Sequence, residues 1–127
     1  MINLTKSIED YLEAILIVEN RDKKVKSVKI AELLGVSKPG VNKAMNVLKD
    51  NNLIDKVDYG DISLTDKGRE IANRIYEKHL LIKEFLIKLG VSETTAEQDC
   101  CKIEHILSDE TLKQIKNFLN EKKNRHF

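Results

Sequence analysis

The stretch Ile30-Ala-Glu-Leu-Leu-Gly-Val-Ser-Lys-Pro-Gly-Val-Asn-Lys-Ala-Met-Asn-Val-Leu48 decides the fold. Ile30, Ala31, Leu33 and Leu34 mark a short helix over 28–34 that Gly35 stops. After Val36, Ser37 supplies a side-chain oxygen to cap a second helix, and Pro39 near its start is tolerated because first-turn amides lack helical partners. Val41, Ala44, Met45 and Leu48 fall on one face of that helix, which ends in the turn-prone Asp50-Asn51-Asn52. Short helix, glycine turn and capped second helix, with small residues where two helices cross, predict a helix-turn-helix.

Downstream, Leu53, Ile54 and Val57 read as a strand, Asp58-Tyr59-Gly60-Asp61 as a turn, and Ile62-Ser63-Leu64 as the returning strand. A helix-turn-helix followed directly by a hairpin predicts a winged helix. Upstream, Thr5 or Ser7 caps a first helix to about Glu19, with Ile8, Leu12, Ile15 and Leu16 as its apolar stripe and 20–27 as a polar, basic loop. Thr65 then caps a long helix from Asp66 to about Leu89, ended by Gly90. Ser92 precedes a further helix to Leu107, and Ser108 caps a last one carrying Leu112, Ile115, Phe118 and Leu119. Three amphipathic helices beyond a complete DNA-binding unit need a partner face, and dimerisation suits a two-fold-symmetric operator. The expected fold is mainly α: a winged helix-turn-helix over residues 1–66 and a helical dimerisation and metal-binding domain over 67–127.

With 127 residues, 41% hydrophobic and 34% charged, the chain can bury one domain or two small ones under an ionic surface. One Pro and five Gly argue against disorder. The longest unbroken apolar run, Ala14 to Val18, is far short of the ~20 residues that span a bilayer, and no basic segment leads into an apolar signal core. A soluble, cytoplasmic protein is expected, with no membrane partner. Adjacent Cys100 and Cys101 cannot staple distant parts of a fold, so reduced thiols are expected. The net charge of +1 is uninformative, but its distribution is not. Residues 1–20 carry −3, residues 21–49 carry +6 and the remainder −2. A cationic third between acidic flanks suits a phosphate-facing surface, although a solvated charged surface has the same composition.

Cys101, Glu104 and His105 stand at i, i+3 and i+4, so all three fall on one face of the expected helix. Thiolate, carboxylate and imidazole are the main transition-metal ligand types. Glu97 lies one turn earlier, Asp10 and Glu13 repeat the i, i+3 spacing on the first helix, and His79 lies midway along the long helix. Each also has a structural reading. Glu104 can be a salt-bridge partner, His105 a hydrogen-bonded core residue, Asp10 and Glu13 complements to a helix N-terminus, and Cys100 a small buried residue. No serine–histidine–acid arrangement and no glycine-rich phosphate loop favours an enzyme.

Taken together, Ser7-Ile-Glu-Asp-Tyr-Leu-Glu13, Ile30-Ala-Glu-Leu-Leu-Gly-Val-Ser37, Leu64-Thr-Asp-Lys-Gly68, His79, Cys101-Lys-Ile-Glu-His105 and Ser108 resemble the diphtheria-toxin-repressor family across essentially the whole chain. The resemblance implies a homodimeric, metal-dependent transcriptional repressor that grips operators of metal-uptake genes when it binds Mn²⁺ or Fe²⁺, with one or two divalent ions per subunit. It implies a primary site of Asp10, Cys101, Glu104 and His105, with His79 and Glu13 completing an adjacent one. The chain departs from both familiar subtypes: Asp10 stands where iron-type members carry Met, and Cys101 where manganese-type members carry Glu. Lys83 stands where iron-type members carry an ancillary carboxylate ligand, and Glu97 where they carry a His. Hard Asp10 favours Mn²⁺ and Fe²⁺, while soft Cys101 favours Fe²⁺ or Zn²⁺.

For DNA contact, Ser37, Lys38, Pro39, Asn42 and Lys43 sit at the start of the reading helix, with Lys49 at its end. Asn42 suits a base edge, and Lys38, Lys43 and Lys49 suit phosphates. The main rival is a metal-independent winged-helix regulator, whose DNA affinity a chelator would not alter. A structural metalloprotein that binds another protein and a metalloenzyme are weaker alternatives.

Overall fold

In the computed structural model, which describes residues 5–56 and 61–124, six helices and one two-stranded sheet follow in the order α1 (Lys6–Asp22), α2 (Ser27–Leu34), α3 (Lys38–Asp50), β1 (Ile54–Lys56), β2 (Ile62–Leu64), α4 (Asp66–Lys88), α5 (Glu93–Ile103) and α6 (Asp109–Asn124). Two compact units divide the chain, residues 1–74 and 75–127, so the division falls within α4.

In the first unit, Thr5 caps α1, its hydroxyl accepting from the Ile8 amide at 3.2 Å. The helix runs one turn past the expected Glu19, and the loop shrinks to Lys23–Lys26. The Lys23 amide closes the helix on the Glu19 carbonyl at 2.9 Å, with Lys23 at φ 67°. Val25, in that loop, is buried, and its carbonyl accepts from the Ile62 amide at 2.8 Å, pinning the loop to β2. Gly35 ends α2 in the left-handed conformation, φ 65°, and the Val36 amide reaches back to Ala31 at 3.1 Å. Ser37 then caps α3 as its sequence position demands, accepting from the Gly40 amide at 3.2 Å.

Val41, Met45 and Leu48 of α3 are buried with Leu12, Ile15 and Val18 of α1, Ile30 of α2, and Leu53, Ile54 and Ile62 around the hairpin. β1 and β2 pair antiparallel, Ile54 opposite Leu64 and Lys56 opposite Ile62. The expected turn at 58–61 and Val57 lie outside the described residues, except Asp61. The hairpin is locked to α4 by a short relay. Thr65 Oγ1 donates to the Asn52 carbonyl at 2.7 Å and accepts from the Gly68 amide at 3.0 Å, while the Thr65 amide donates to the Leu53 carbonyl at 3.1 Å. This brings the first turn of α4 so close to Leu53 that a Cβ on Gly68 would lie 1.9 Å from the Leu53 carbonyl oxygen. Arg69, one residue on, forms a two-pronged pair with Glu19 of α1, its second nitrogen at 3.0 Å.

In the second unit, Ile82, Cys100 and Leu112 form the buried centre, with Leu81, Leu86, Ile103 and Leu107 packed against it. Ser92 caps α5, accepting from the Thr95 amide at 3.3 Å, and Ser108 accepts from the Thr111 amide at 3.2 Å at the start of α6. The α5 helix ends at Ile103, not Leu107. An N-cap residue takes an extended backbone, so the chain must leave α5 before Ser108, and it does so through a turn at 104–106 in which Ile106 N–H bonds the Ile103 carbonyl at 3.0 Å. No helix among the described residues is long and apolar enough to cross a membrane.

Candidate functional site

His79 occupies the middle of α4, nine residues before its end, where its ring is buried and stacks against Tyr76 with centroids 6.2 Å apart. Both ring nitrogens face carboxylates. Nδ1 lies 3.0 Å from Glu104 Oε2, and Nε2 lies 2.9 Å from Glu97 Oε1. A neutral imidazole donates from one nitrogen only, so the two carboxylates together ask for a cation between them: an imidazolium proton pair or a metal ion.

Glu104 makes the stronger demand. It is 3% exposed, and its Oε1 has no hydrogen-bond partner among the described residues. His105 Nε2 stands 3.5 Å from that oxygen, an ion pair only when the imidazole is protonated. A buried carboxylate oxygen left without a hydrogen bond costs on the order of 1–3 kcal/mol, and a coordinated cation removes that cost. The 3.0 Å from His79 Nδ1 to Glu104 Oε2 is a hydrogen-bond distance, and two donors about 2.1 Å from one octahedral ion stand equally far apart. The residues of this unit therefore suit a divalent metal.

The thiols lie on the other side of the ring. Cys101 Sγ is 3.9 Å from His79 Nδ1, and Cys100 Sγ is 3.6 Å from each ring nitrogen, which sets it against the ring face. One ligand atom from each of His79, Glu97, Cys100 and Cys101 falls within 4.8 Å of the others. Cys100 is fully buried and donates to the Glu97 carbonyl at 3.3 Å. Burial, followed by neighbouring Cys101 and the Glu97 and Glu104 carboxylates, pushes its thiol up to about 12. The sequence expectation of a buried Cys100 holds, but its contact with His79 is a tertiary fact that spacing along one helix could not show.

Glu97 is half-exposed. Burial pushes its carboxyl up, but the Lys83 ammonium and His79 outweigh that and hold it below the usual carboxylate range. Lys83 Nζ lies 3.0 Å from Glu97 Oε2 and 3.8 Å from Glu93 Oε1. Because α5 stops at Ile103, Cys101 is in the helix, Glu104 is its C-cap and His105 lies in the following turn; the single helical face expected for the three is replaced by a helix end. The Glu104 amide still bonds the Cys100 carbonyl at 3.0 Å, which keeps Glu104 one turn from Cys100. Asp10 and Glu13 are carried by α1 in the first unit, one turn apart, with Glu13 buried.

The second expected set lies on α3. Ser37, Lys38, Pro39, Asn42, Lys43 and Lys49 are all exposed, while Val41, Ala44, Met45 and Leu48 face inward. Asn46, also exposed, lies one turn after Asn42 on the same side. The i, i+4 spacing from Asn42 was the signal that could have found it. The exposed face of α3 thus offers lysines and two side-chain amides, phosphate-gripping and base-reading chemistry respectively.

Residues 3–62 match the model of the iron-dependent repressor N-terminal DNA-binding domain, and residues 65–126 match that of the iron-dependent repressor metal-binding and dimerisation domain. The chain belongs to the diphtheria-toxin-repressor family. A helix-turn-helix-type transcriptional regulator of Methanocaldococcus jannaschii is 38% identical over 124 residues, covering 96% of this chain and 99% of that protein. The transcriptional regulator MntR of Escherichia coli O6:H1 is 34% identical over 111 residues, 87% of this chain and 72% of that protein. Among solved structures, a manganese-dependent transcriptional repressor in complex with manganese superposes with a TM-score of 0.82 at 29% identity, covering 89% of this chain and 52% of that one. This repressor-family chain spans about half the length of that solved relative. The winged helix-turn-helix and the helical second domain are those of the diphtheria-toxin-repressor family, which is one of transcriptional regulators.

Proposed function

We propose that this chain is a metal-dependent transcriptional repressor, activated by Mn²⁺ or Fe²⁺, that binds operator DNA of metal-homeostasis genes as a cytoplasmic homodimer and performs no catalysis. Residues 1–66 form the DNA-binding part and 67–127 the metal-binding and dimerisation part. The observation that carries the reading is the buried Glu104 carboxylate. One of its oxygens has no hydrogen-bond partner among the described residues and the other is 3.0 Å from His79, in a chain that also presents a cationic helix-turn-helix. Manganese regulators among the relatives support the choice of ion.

In the reading that the motif order supports, Asp10, Cys101, Glu104 and His105 form the primary site and His79 and Glu13 complete an adjacent one, for one or two divalent ions per subunit. A bound ion supplies a divalent positive charge that these ligands share. Without it, the carboxylates of Asp10, Glu13, Glu97 and Glu104 repel one another; sharing it, α1 and the ligands of α4 and α5 favour one arrangement. That arrangement is the DNA-competent one if the coupling reaches the ~1–3 kcal/mol typical of allosteric linkage. Lys38, Lys43 and Lys49 then grip phosphates while Ser37, Pro39 and Asn42 approach base edges at the entry of α3. For dimerisation, the second unit exposes Leu80, Ile87, Leu89, Ile106 and Phe118, with Ile106 at 79% and Leu89 at 61%. A groove of about 340 Å³ between Phe85, Leu89, Ile115 and Phe118 adds to that apolar surface.

The direct test is Asp10→Ala. Metal-dependent operator binding, measured by fluorescence anisotropy with and without chelator, falls at least about tenfold, equivalent to ~1.4 kcal/mol. An unchanged metal dependence rejects the clamp between the two parts of the chain.

A further inference from the structure

Four asparagines fall between residues 42 and 52, and the fold gives a structural role to only two of them. Asn51 spends its side-chain amide at the end of α3, Nδ2 donating to the Val47 carbonyl at 2.8 Å. Asn52 takes the left-handed backbone of the following turn, φ 60°, and its carbonyl accepts from Thr65 Oγ1 at 2.7 Å. Asn42 and Asn46 lie inside α3, both exposed, and among the described residues neither side chain makes a hydrogen bond. Asparagine is a poor residue for a helix interior, because its amide competes for backbone groups that the helix needs. Two such residues one turn apart, with nothing in the fold to answer their amides, point outward to a ligand.

Their direction and chemistry say which ligand. At 3.6 residues per turn, Asn46 stands roughly 150° and Asn42 roughly 110° from the mean direction of the buried Val41, Ala44, Met45 and Leu48. Pro39 and Lys43 share that outer stripe, so Pro39, Asn42, Lys43 and Asn46 follow the spacing i, i+3, i+4, i+7. The same spacing carries the base-contacting residues of homeodomain reading helices. Asp50, one turn beyond Asn46 and also exposed, repels phosphate and closes the stripe. A side-chain amide is uncharged and offers both acceptor and donor, the pattern that meets adenine N6 and N7 in the major groove. Four residues of helix rise about 6 Å, close to two base-pair steps of ~3.4 Å.

We propose that Asn46 is a specificity-determining residue of the reading helix, and that Asn42 and Asn46 select two adenines about two base pairs apart in each half-site. Each Oδ1 accepts from adenine N6–H and each Nδ2 donates to N7, while Lys43 beside them supplies positive charge. The inference rests on the operator-binding reading above and deepens it by naming what the helix recognises.

The test selects sites from random duplex DNA with the full chain, as wild type, Asn42→Ala and Asn46→Ala. Selections run with Mn²⁺ and with chelator, so that base preference is read whether or not the metal controls it. Alanine is the better helix former and both positions are exposed, so both variants keep the wild-type helical circular dichroism. Wild type enriches adenine at two positions about two base pairs apart in each half-site. Asn46→Ala loses the preference at one of them and keeps the other, and Asn42→Ala does the converse. By fluorescence anisotropy, each variant binds the wild-type site about tenfold more weakly yet holds a scrambled duplex within about twofold, since an amide neutralises no phosphate. An Asn46→Ala selection identical to wild type overturns the role of Asn46 and leaves the repressor reading standing. An equal loss on the selected site and the scrambled duplex does the same, because it marks a phosphate contact or a lost fold. No enriched site for wild type in either condition overturns both.

Discussion

Replacing Glu104 by Gln removes one charge and almost no volume, and so separates the metal role of this residue from its packing. Metal affinity measured by calorimetry should fall at least ~100-fold, the upper range seen even for residues that only support ligands. Thermal stability of the metal-free protein should hold or rise, because a buried, incompletely paired carboxylate becomes neutral. A purely structural Glu104 predicts the reverse, lost stability with metal binding intact. Cys100 makes a second prediction at this scale. With its thiol pushed up to about 12, its thiolate fraction at pH 8 is roughly 10⁻⁴, against about a tenth for an unperturbed thiol. In the metal-free native protein, iodoacetamide should label Cys101 well before Cys100, and Cys100 should react at the ordinary rate only after unfolding, as peptide mass spectrometry can show. Equal native labelling of the two would mean that Cys100 is neither buried nor protonated as described.

At the scale of elements, the helix-turn-helix and hairpin were legible because their signals are local. Ser37, Gly35 and the i, i+3, i+4 spacing of Val41, Ala44, Met45 and Leu48 act within a turn or two, and each does in the fold what its chemistry suggests. The end of α5 was not legible. Ile103, Ile106 and Leu107 continue an apolar helical spacing, and only the extended backbone that Ser108 needs as a cap breaks it. The Cys100–His79 and Lys83–Glu97 contacts were also invisible, since both join α4 to α5 and sequence spacing carries no information across that gap. Gly68 lies between these cases. It reads as a weak helix residue, yet its amide completes the Thr65 relay and its missing Cβ leaves room for the Leu53 carbonyl. Gly68→Ala should therefore destabilise at or above the upper end of the roughly 1–3 kcal/mol range for overpacking, although alanine is the better helix former. Denaturant unfolding of the metal-free chain checks the sign: a gain in stability would contradict the close approach of α4 to the Leu53 carbonyl.

At the scale of the whole molecule, the chain combines parts that make sense only together. The proposed function joins an exposed α3 surface that carries Lys38, Lys43 and Lys49, a buried His–carboxylate cluster, and exposed apolar side chains on the second unit. An operator with two-fold symmetry needs both copies of α3 at a fixed spacing, and the proposed ligand residues, which belong to both units of each chain, would give the metal a means of favouring that spacing. The ionic character of α3 adds that operator affinity falls with salt, so metal dependence must be compared at one ionic strength. The most direct test of this account is selection of binding sites from random duplex DNA, run in parallel with chelator, Mn²⁺, Fe²⁺ without oxygen, and Zn²⁺. The account predicts an inverted repeat enriched with Mn²⁺ or Fe²⁺ and lost in chelator. The same repeat enriched equally in chelator would contradict it.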